Sequence, residues 1–302
     1  MKSKARQKHL PAWGDRIPVK YQTMSLLLIP LFLLALLVAI LQKSLYTNIF
    51  TALCINLVMV TSLQAFMGNS GILNWTHIGF MGIGAYASGI LSMTPDIKAM
   101  AAPNMYEFLR PITIHPLLAI LLAGLVTAII AALISYPLMR LSDAVGVITI
   151  YALLIIIHVV MTQWDNVTNG PRTFFGLKPY TTMTLALIFA ALTIILTIFF
   201  KHSALGLKLR ATRDDRYAAM SVGIGIVNTR YLSFIFSALL AGIGGGLWAH
   251  FITSFSPKSF YVTDFFSILS MLVIGGTASV SGAVAGTGMV TVIRELLRQL
   301  ES

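Results

Sequence analysis

Charge is the scarcest commodity in this chain. Of its 302 residues only 10% are Asp, Glu, Lys or Arg, while 57% are hydrophobic; a soluble globular domain carries about 25% charged residues. No soluble fold hides that much apolar surface, so lipid must form part of the solvent. Cysteine is almost missing too. Cys54 stands alone inside an apolar stretch, which excludes an internal disulfide and a cysteine metal cluster and leaves it a small buried hydrophobe. The chain has no GxxxxGK[ST] phosphate loop and no HExxH, so it has no route of those kinds to hydrolyse ATP or bind zinc. Its six histidines (His9, His77, His115, His158, His202, His250) are scattered without a pair at metal-ligand spacing. No metal site and no catalytic residue is expected. Acids are absent from every long apolar stretch. Proton- and ion-coupled pumps carry ionisable groups within their spans because a charge must be bound and released there. If this protein moves a solute, its energy comes from elsewhere.

What the chain does have is length without charge. Seven charge-free intervals, 21–42, 44–95, 111–139, 144–164, 179–200, 231–257 and 265–293, make up two thirds of it. A spanning helix needs about 20 mostly apolar residues. Five intervals fit one helix each, and 44–95 fits two, broken around 68–79. The last, 265–293, suits a broken or hairpin element at Gly275, Gly276 and Gly282. The expectation is an all-α polytopic bundle of about eight to nine membrane segments, some broken or re-entrant, at about 23–41, 47–67, 77–93, 113–138, 145–162, 181–200, 231–250, 265–278 and 281–297. Long apolar blocks do not fit the alternating ten-residue strands of a β-barrel.

The net charge of +11 does not indicate nucleic acid. The basic residues sit at segment ends and in loops, as the positive-inside rule produces. Residues 1–22 form a basic tail expected to be retained and cytoplasmic, since the apolar run after it exceeds a signal peptide's core. Residues 23–298 make one membrane domain, and 299–302 a short C-terminal tail. The stretch 201–229, with Lys201, Lys208, Arg210, Arg213 and Arg216, is placed in the cytoplasm by the same rule. Counting segments puts the C-terminus outside, whereas the basic residues Arg294 and Arg298 favour inside; a partial or re-entrant element among the last two is expected to reconcile them. The Asn-x-Thr sequons at Asn74 and Asn166 read as chance.

The cytoplasmic stretch carries the sharpest motif. In TRDDRYAAMSVGI (212–224), Ala218, Ala219 and then Gly223 match the AAxxxG core of the coupling loop of ABC importer permeases. Small alanines allow close approach, glycine ends the helix, and flanking charges orient it, a helix-in-groove contact. The bland alternative is an ordinary charged loop. Here Tyr217 stands at the usual Glu position, with Asp214 and Asp215 beside it.

The flanks extend this match. The chain resembles the permease subunits of branched-chain amino acid ABC importers, the M-type permease in particular. NSGILNWTHIGFMGIGAYASGIL (69–91), VTNGPRTFFGL (167–177), the stretch 206–249 and MLVIGGTASVSGAVAG (271–286) are similar to four family motifs in family order, with Ala278 where glycine is usual. The resemblance implies a permease in the bacterial inner membrane, importing branched-chain or related hydrophobic amino acids. It implies a homologous second permease, two cytoplasmic ATPases binding ATP and Mg, an extracytoplasmic binding protein, and no cofactor in this chain. Arg213, Asp214, Asp215, Arg216, Tyr217, Ala218, Ala219 and Gly223 would form the ATPase contact, with Ala219 at closest approach and Gly223 in a left-handed, helix-ending conformation. Asn74, Thr76, His77, Gly82, Gly84, Tyr86, Gly275 and Gly276 are candidates for a translocation path, because broken helices expose backbone to a zwitterionic solute; close helix packing is the plainer reading of the glycines. The same machinery with urea or short amides as cargo is the nearest alternative, and a stand-alone secondary transporter or channel the next. An intramembrane enzyme would need catalytic side chains that are not evident.

Overall fold

The structure, a computed structural model, describes residues 19–141 and 143–301. Residues 1–18 of the expected basic tail, and Ser302, lie outside the described residues. The chain is helical throughout: α1 (Val19–Leu41), α2 (Ser44–Leu63), α3 (His77–Ser92), α4 (Pro95–Ala101), α5 (Pro116–Met139), α6 (Asp143–Gln163), α7 (Asp165–Thr168), α8 (Met183–His202), α9 (Ala204–Asp214), α10 (Arg216–Ser221), α11 (Ile226–Ile252), α12 (Val262–Gly275) and α13 (Val280–Glu301). Seven helices among the described residues, α1, α2, α5, α6, α8, α11 and α13, are long and apolar enough to cross a membrane. The shorter α3, of 16 residues, and α12, of 14, complete the expected polytopic bundle.

Small residues decide the centre of the bundle. In membranes helices associate through close packing rather than through loss of water, so glycine at a crossing admits the neighbouring backbone. α3 packs against both α5 and α11, which also pack on each other. A Cβ on Gly84 would overlap the Gly242 carbonyl, and one on Gly245 would overlap the Met81 carbonyl. The outer helices turn large apolar groups outward, as on α1, where Leu26, Leu36 and Ile40 are exposed while Leu31, Ala35 and Val38 are buried. That is the pattern of a lipid-facing helix.

The bundle has two ends, called here the α9 face and the far face. The α9 face carries α9 and α10, the end of α2 and the α12–α13 turn. There Lys201 Nζ donates to the Ala278 carbonyl at 2.8 Å and Gln64 Nε2 to the Thr277 carbonyl at 3.5 Å. The far face carries α4, α7 and an antiparallel bridge in which Phe174 N donates to the Phe255 carbonyl (2.7 Å) and Phe255 N to that of Phe174 (2.9 Å). Lys98 organises this face. Its side chain is buried and donates to the carbonyls of Leu109 (2.9 Å), Arg110 and Ile112, and burial pushes its ammonium below the ordinary lysine value.

The C-terminal expectation needs correcting. The partial element is α12. It starts beside Phe260, which packs under Gly82 in mid-α3, and descends to the α9 face. α13 then runs the whole way back, and Arg294, Glu295 and Leu297 lie alongside Leu45 and Asn48 at the start of α2. A short α12 therefore does not return the tail to the α9 face, because α13 is a full-length helix that begins there.

Candidate functional site

The α9–α10 unit is built by its caps. The Ser203 hydroxyl accepts from Gly206 N (3.2 Å) and starts α9. Asp215 interrupts the helix and restarts it, its carboxylate accepting from Tyr217 N and Ala218 N, both at 2.9 Å; short acidic side chains are favoured at this position for that reason. Gly223, at φ +79°, ends α10. Its N–H reaches the Met220 carbonyl, and that of Ile224 reaches Ala219, both at 3.0 Å. This is the double closure of a Schellman motif, which needs a residue tolerant of positive φ. α10 rests on α9 and α11.

The outward surface of this unit differs from the expected one. Ala219 is only 3% exposed and is the buried residue of α10. The expectation that it makes the closest approach to a partner is corrected: its small side chain lets α10 lie close on its own chain. The residues presented outward are Tyr217 at 80% exposure, Val222 at 74%, Met220 and Ala218. Arg213 points back to the bundle. Its Nη1 donates to the Gly68 carbonyl at 2.9 Å, while Nε and Nη2 hold Asp214 Oδ1 at 3.0 and 2.9 Å. Asp214, Asp215 and Arg216 frame the bend between the two helices.

Gly68 is the last residue of a π-helical turn, Gln64–Gly68, that closes α2. Such turns hold one residue more than an α-turn and mark functional places in helices. The chain then runs unwound from 69 to 76 before α3. Asn74, Thr76 and His77 sit at this break and are fully buried. Thr76 Oγ1 donates to Asn74 Oδ1 at 2.7 Å, and His77 Nε2 lies 3.0 Å from the Met59 carbonyl and 3.1 Å from Ser62 Oγ. A carbonyl only accepts, so Nε2 carries the proton. Gly82 lies beneath Met161 and Phe260, and Gly84 against α11. Tyr86 joins Phe174, Phe255 and Phe260 in an edge-to-face cluster plugging the far end. Gly275 packs on Gly282, and Gly276, at φ +99°, makes the α12–α13 turn. The candidate path residues thus form a packed seam rather than an open channel.

The open space lies beside them. A cavity of about 700 Å³, open on one side, is lined by α2, α3, the end of α11, α12 and α13. Asp264, Arg294 and Glu295 line it together with Asn48, Asn56 and Ser267. None of these six was singled out as a site residue in the sequence, where Arg294 served only as a topology marker. Asp264 and Arg294 bound the apolar interval 265–293 and therefore read as loop and tail. The available signal was spacing: Asp264, Ser267, Ile268 and Met271 recur at i, i+3, i+4 and i+7, one face of a helix.

A many-spanned bundle with a capped helical pair at one end and a polar-lined cavity is the architecture of a polytopic membrane protein. The family described as branched-chain amino acid transport system / permease component matches residues 45–302, and the chain belongs to it. It is 27% identical to the high-affinity branched-chain amino acid transport system permease protein LivM of Salmonella typhimurium and 26% identical to that of Escherichia coli, over 83% of this chain in both cases. It spans 63% of the length of these two relatives. The probable branched-chain amino acid transport permease protein LivH of Methanocaldococcus jannaschii is 28% identical over half of the chain and 48% of its own length. No solved structure gives a significant match.

Proposed function

We propose that this chain is the transmembrane permease subunit of an ATP-driven importer carrying branched-chain or related hydrophobic amino acids across the bacterial inner membrane into the cytoplasm. ATP and Mg belong to two separate ATPase subunits. A homologous second permease, of the kind the names LivM and LivH distinguish, completes the membrane part, and an extracytoplasmic binding protein delivers cargo to the far face. In this reading the N-terminus and the α9 face are cytoplasmic and the end of α13 points outward.

The observation that carries the reading is the Arg213–Gly68 hydrogen bond. It joins the capped α9–α10 pair to the π-turn of α2, the helix whose other end lines the cavity. A push on Tyr217, Met220 and Val222 by a hydrolysing partner would pass through α9 and Arg213 into α2, so that work done at one face moves a wall of the cavity. A stand-alone channel or secondary transporter has no need of such an appendage. Affinity purification of the tagged full-length chain from its own membrane should bring down a nucleotide-binding subunit. Proteoliposomes of that assembly should accumulate leucine only with ATP inside and binding protein outside. Accumulation without ATP rejects the ATP-driven reading, and uptake of urea or short amides in place of leucine rejects the cargo.

A further inference from the structure

The cavity between α2, α12 and α13 is graded along its depth. Asn48, Asp264, Arg294 and Glu295 lie toward the far face, near Leu45 and Leu297, and Met59, Met81 and Met271 lie deeper. Two helices carry the gradient on single faces. α2 runs Asn48, Ala52, Ile55, Met59, and α12 runs Asp264, Ser267, Ile268, Met271. The volume of about 700 Å³ falls within the roughly 300–1,000 Å³ of small-molecule sites.

Asp264 and Arg294 line the same mouth without forming a contact ion pair. Arg294 Nη1 donates to Ser267 Oγ at 2.8 Å. Ser267 is a neutral acceptor, so the guanidinium keeps its net charge and further donors for an anion. The Asp264 carboxylate, one helix away and exposed to the cavity, offers the opposite sign. Charged side chains at membrane depth are costly and are kept where they bind something. A wall with the Arg294 guanidinium, the Asp264 carboxylate and side-chain amides, above a floor of flexible thioethers, matches a solute with an anionic and a cationic group at one end and an aliphatic group at the other. Methionine suits the floor because its unbranched chain adapts to differently branched groups.

We propose that this cavity is the permease's own binding site for an aliphatic α-amino acid, with Arg294 taking the α-carboxylate, Asp264 the α-ammonium, and Met59, Met81 and Met271 the side chain. The site deepens the reading of the chain as an amino acid permease and rests on it. A neutral solute such as urea would have no use for the opposed charges.

The test uses the whole assembly in proteoliposomes, with leucine and its amide, which lacks the carboxylate, offered through the binding protein or at high concentration without it. Arg294→Gln is expected to lower leucine uptake about ten- to a hundredfold, the loss of a charge-assisted contact, with binding-protein-stimulated ATP hydrolysis retained. Asp264→Asn should do likewise, Arg294→Lys should restore part of the uptake, and Arg294→Gln should lose the parent's preference for leucine over leucine amide. Leucine uptake by Arg294→Gln and Asp264→Asn at the parental rate and preference overturns the site while leaving the amino acid permease intact. A parent assembly that moves no leucine overturns that reading instead. If Arg294→Gln does not assemble, Asp264→Asn and Arg294→Lys decide: a parental rate and preference in both rejects the proposal.

Discussion

Replacing Arg213 by Met tests the link between the α9–α10 pair and the bundle. The substitution keeps an unbranched apolar stem and removes three hydrogen bonds, one to the Gly68 carbonyl at 2.9 Å and two to Asp214. The Asp214 pair contributes little, because that carboxylate is 67% exposed and exposed ion pairs are worth about 0–1 kcal/mol. The Gly68 bond matters more. Hydrogen bonds to charged groups contribute about 1.5–3 kcal/mol. With the Arg213 side chain 32% exposed, solvent screening reduces this to about 1–2 kcal/mol. Losing it shifts the docked-to-undocked ratio of the π-turn against α9 about five- to thirtyfold. Folding survives, since α9 is still held by Leu209 in a cluster with Ala65 and Phe200. The expected phenotype is uncoupling: ATP hydrolysis near the parental rate, with several-fold less leucine moved per ATP. The assay is simultaneous phosphate release and labelled leucine uptake in proteoliposomes, with Arg213→Lys expected to recover part of the ratio. A parental ratio for Arg213→Met would refute the transmission route through Gly68.

Further outcomes follow from the same geometry. Ala218→Arg, on the exposed side of α10, should leave membrane abundance normal and abolish ATPase assembly, whereas Ala219→Arg forces a charge into a buried position and should lower abundance as well, because an unpaired buried charge is strongly destabilising; co-purification and immunoblotting separate the two. Gly84→Leu places side-chain atoms where the Gly242 carbonyl lies and should destabilise the bundle by about 1–3 kcal/mol or more, seen as a lower melting temperature in detergent. Lys98→Met leaves the carbonyls of Leu109, Arg110 and Ile112 without their donor and should speed proteolysis between 99 and 113 in right-side-out vesicles. With Cys54 buried, Tyr217→Cys and Met100→Cys, both at exposed positions, should react with impermeant maleimide only from the inner and only from the outer side respectively; labelling of both from one side would reject the assigned topology.

The sequence by itself determined that this is a membrane-embedded helical bundle, because a chain with so few charges and such long apolar runs has no other way to satisfy its backbone in lipid. It also determined where the capped pair α9–α10 begins and ends, since Ser203, Asp215 and Gly223 act on their own neighbours, and the family, whose four motifs are local strings. Tertiary structure alone decided which side of a helix faces what. Ala218 and Ala219 are adjacent and chemically identical, yet one is exposed and the other buried, because burial depends on where α9 and α11 lie. The glycines of α3 suited both a path and a packed seam, and only the positions of Gly242 and Phe260 showed them packed in this structure. Asp264 and Arg294 are separated by 29 uncharged residues and looked like the two banks of a membrane segment. The α12–α13 hairpin folds that segment in half, and the reversal of chain direction at Gly276 brings both charges to one cavity wall.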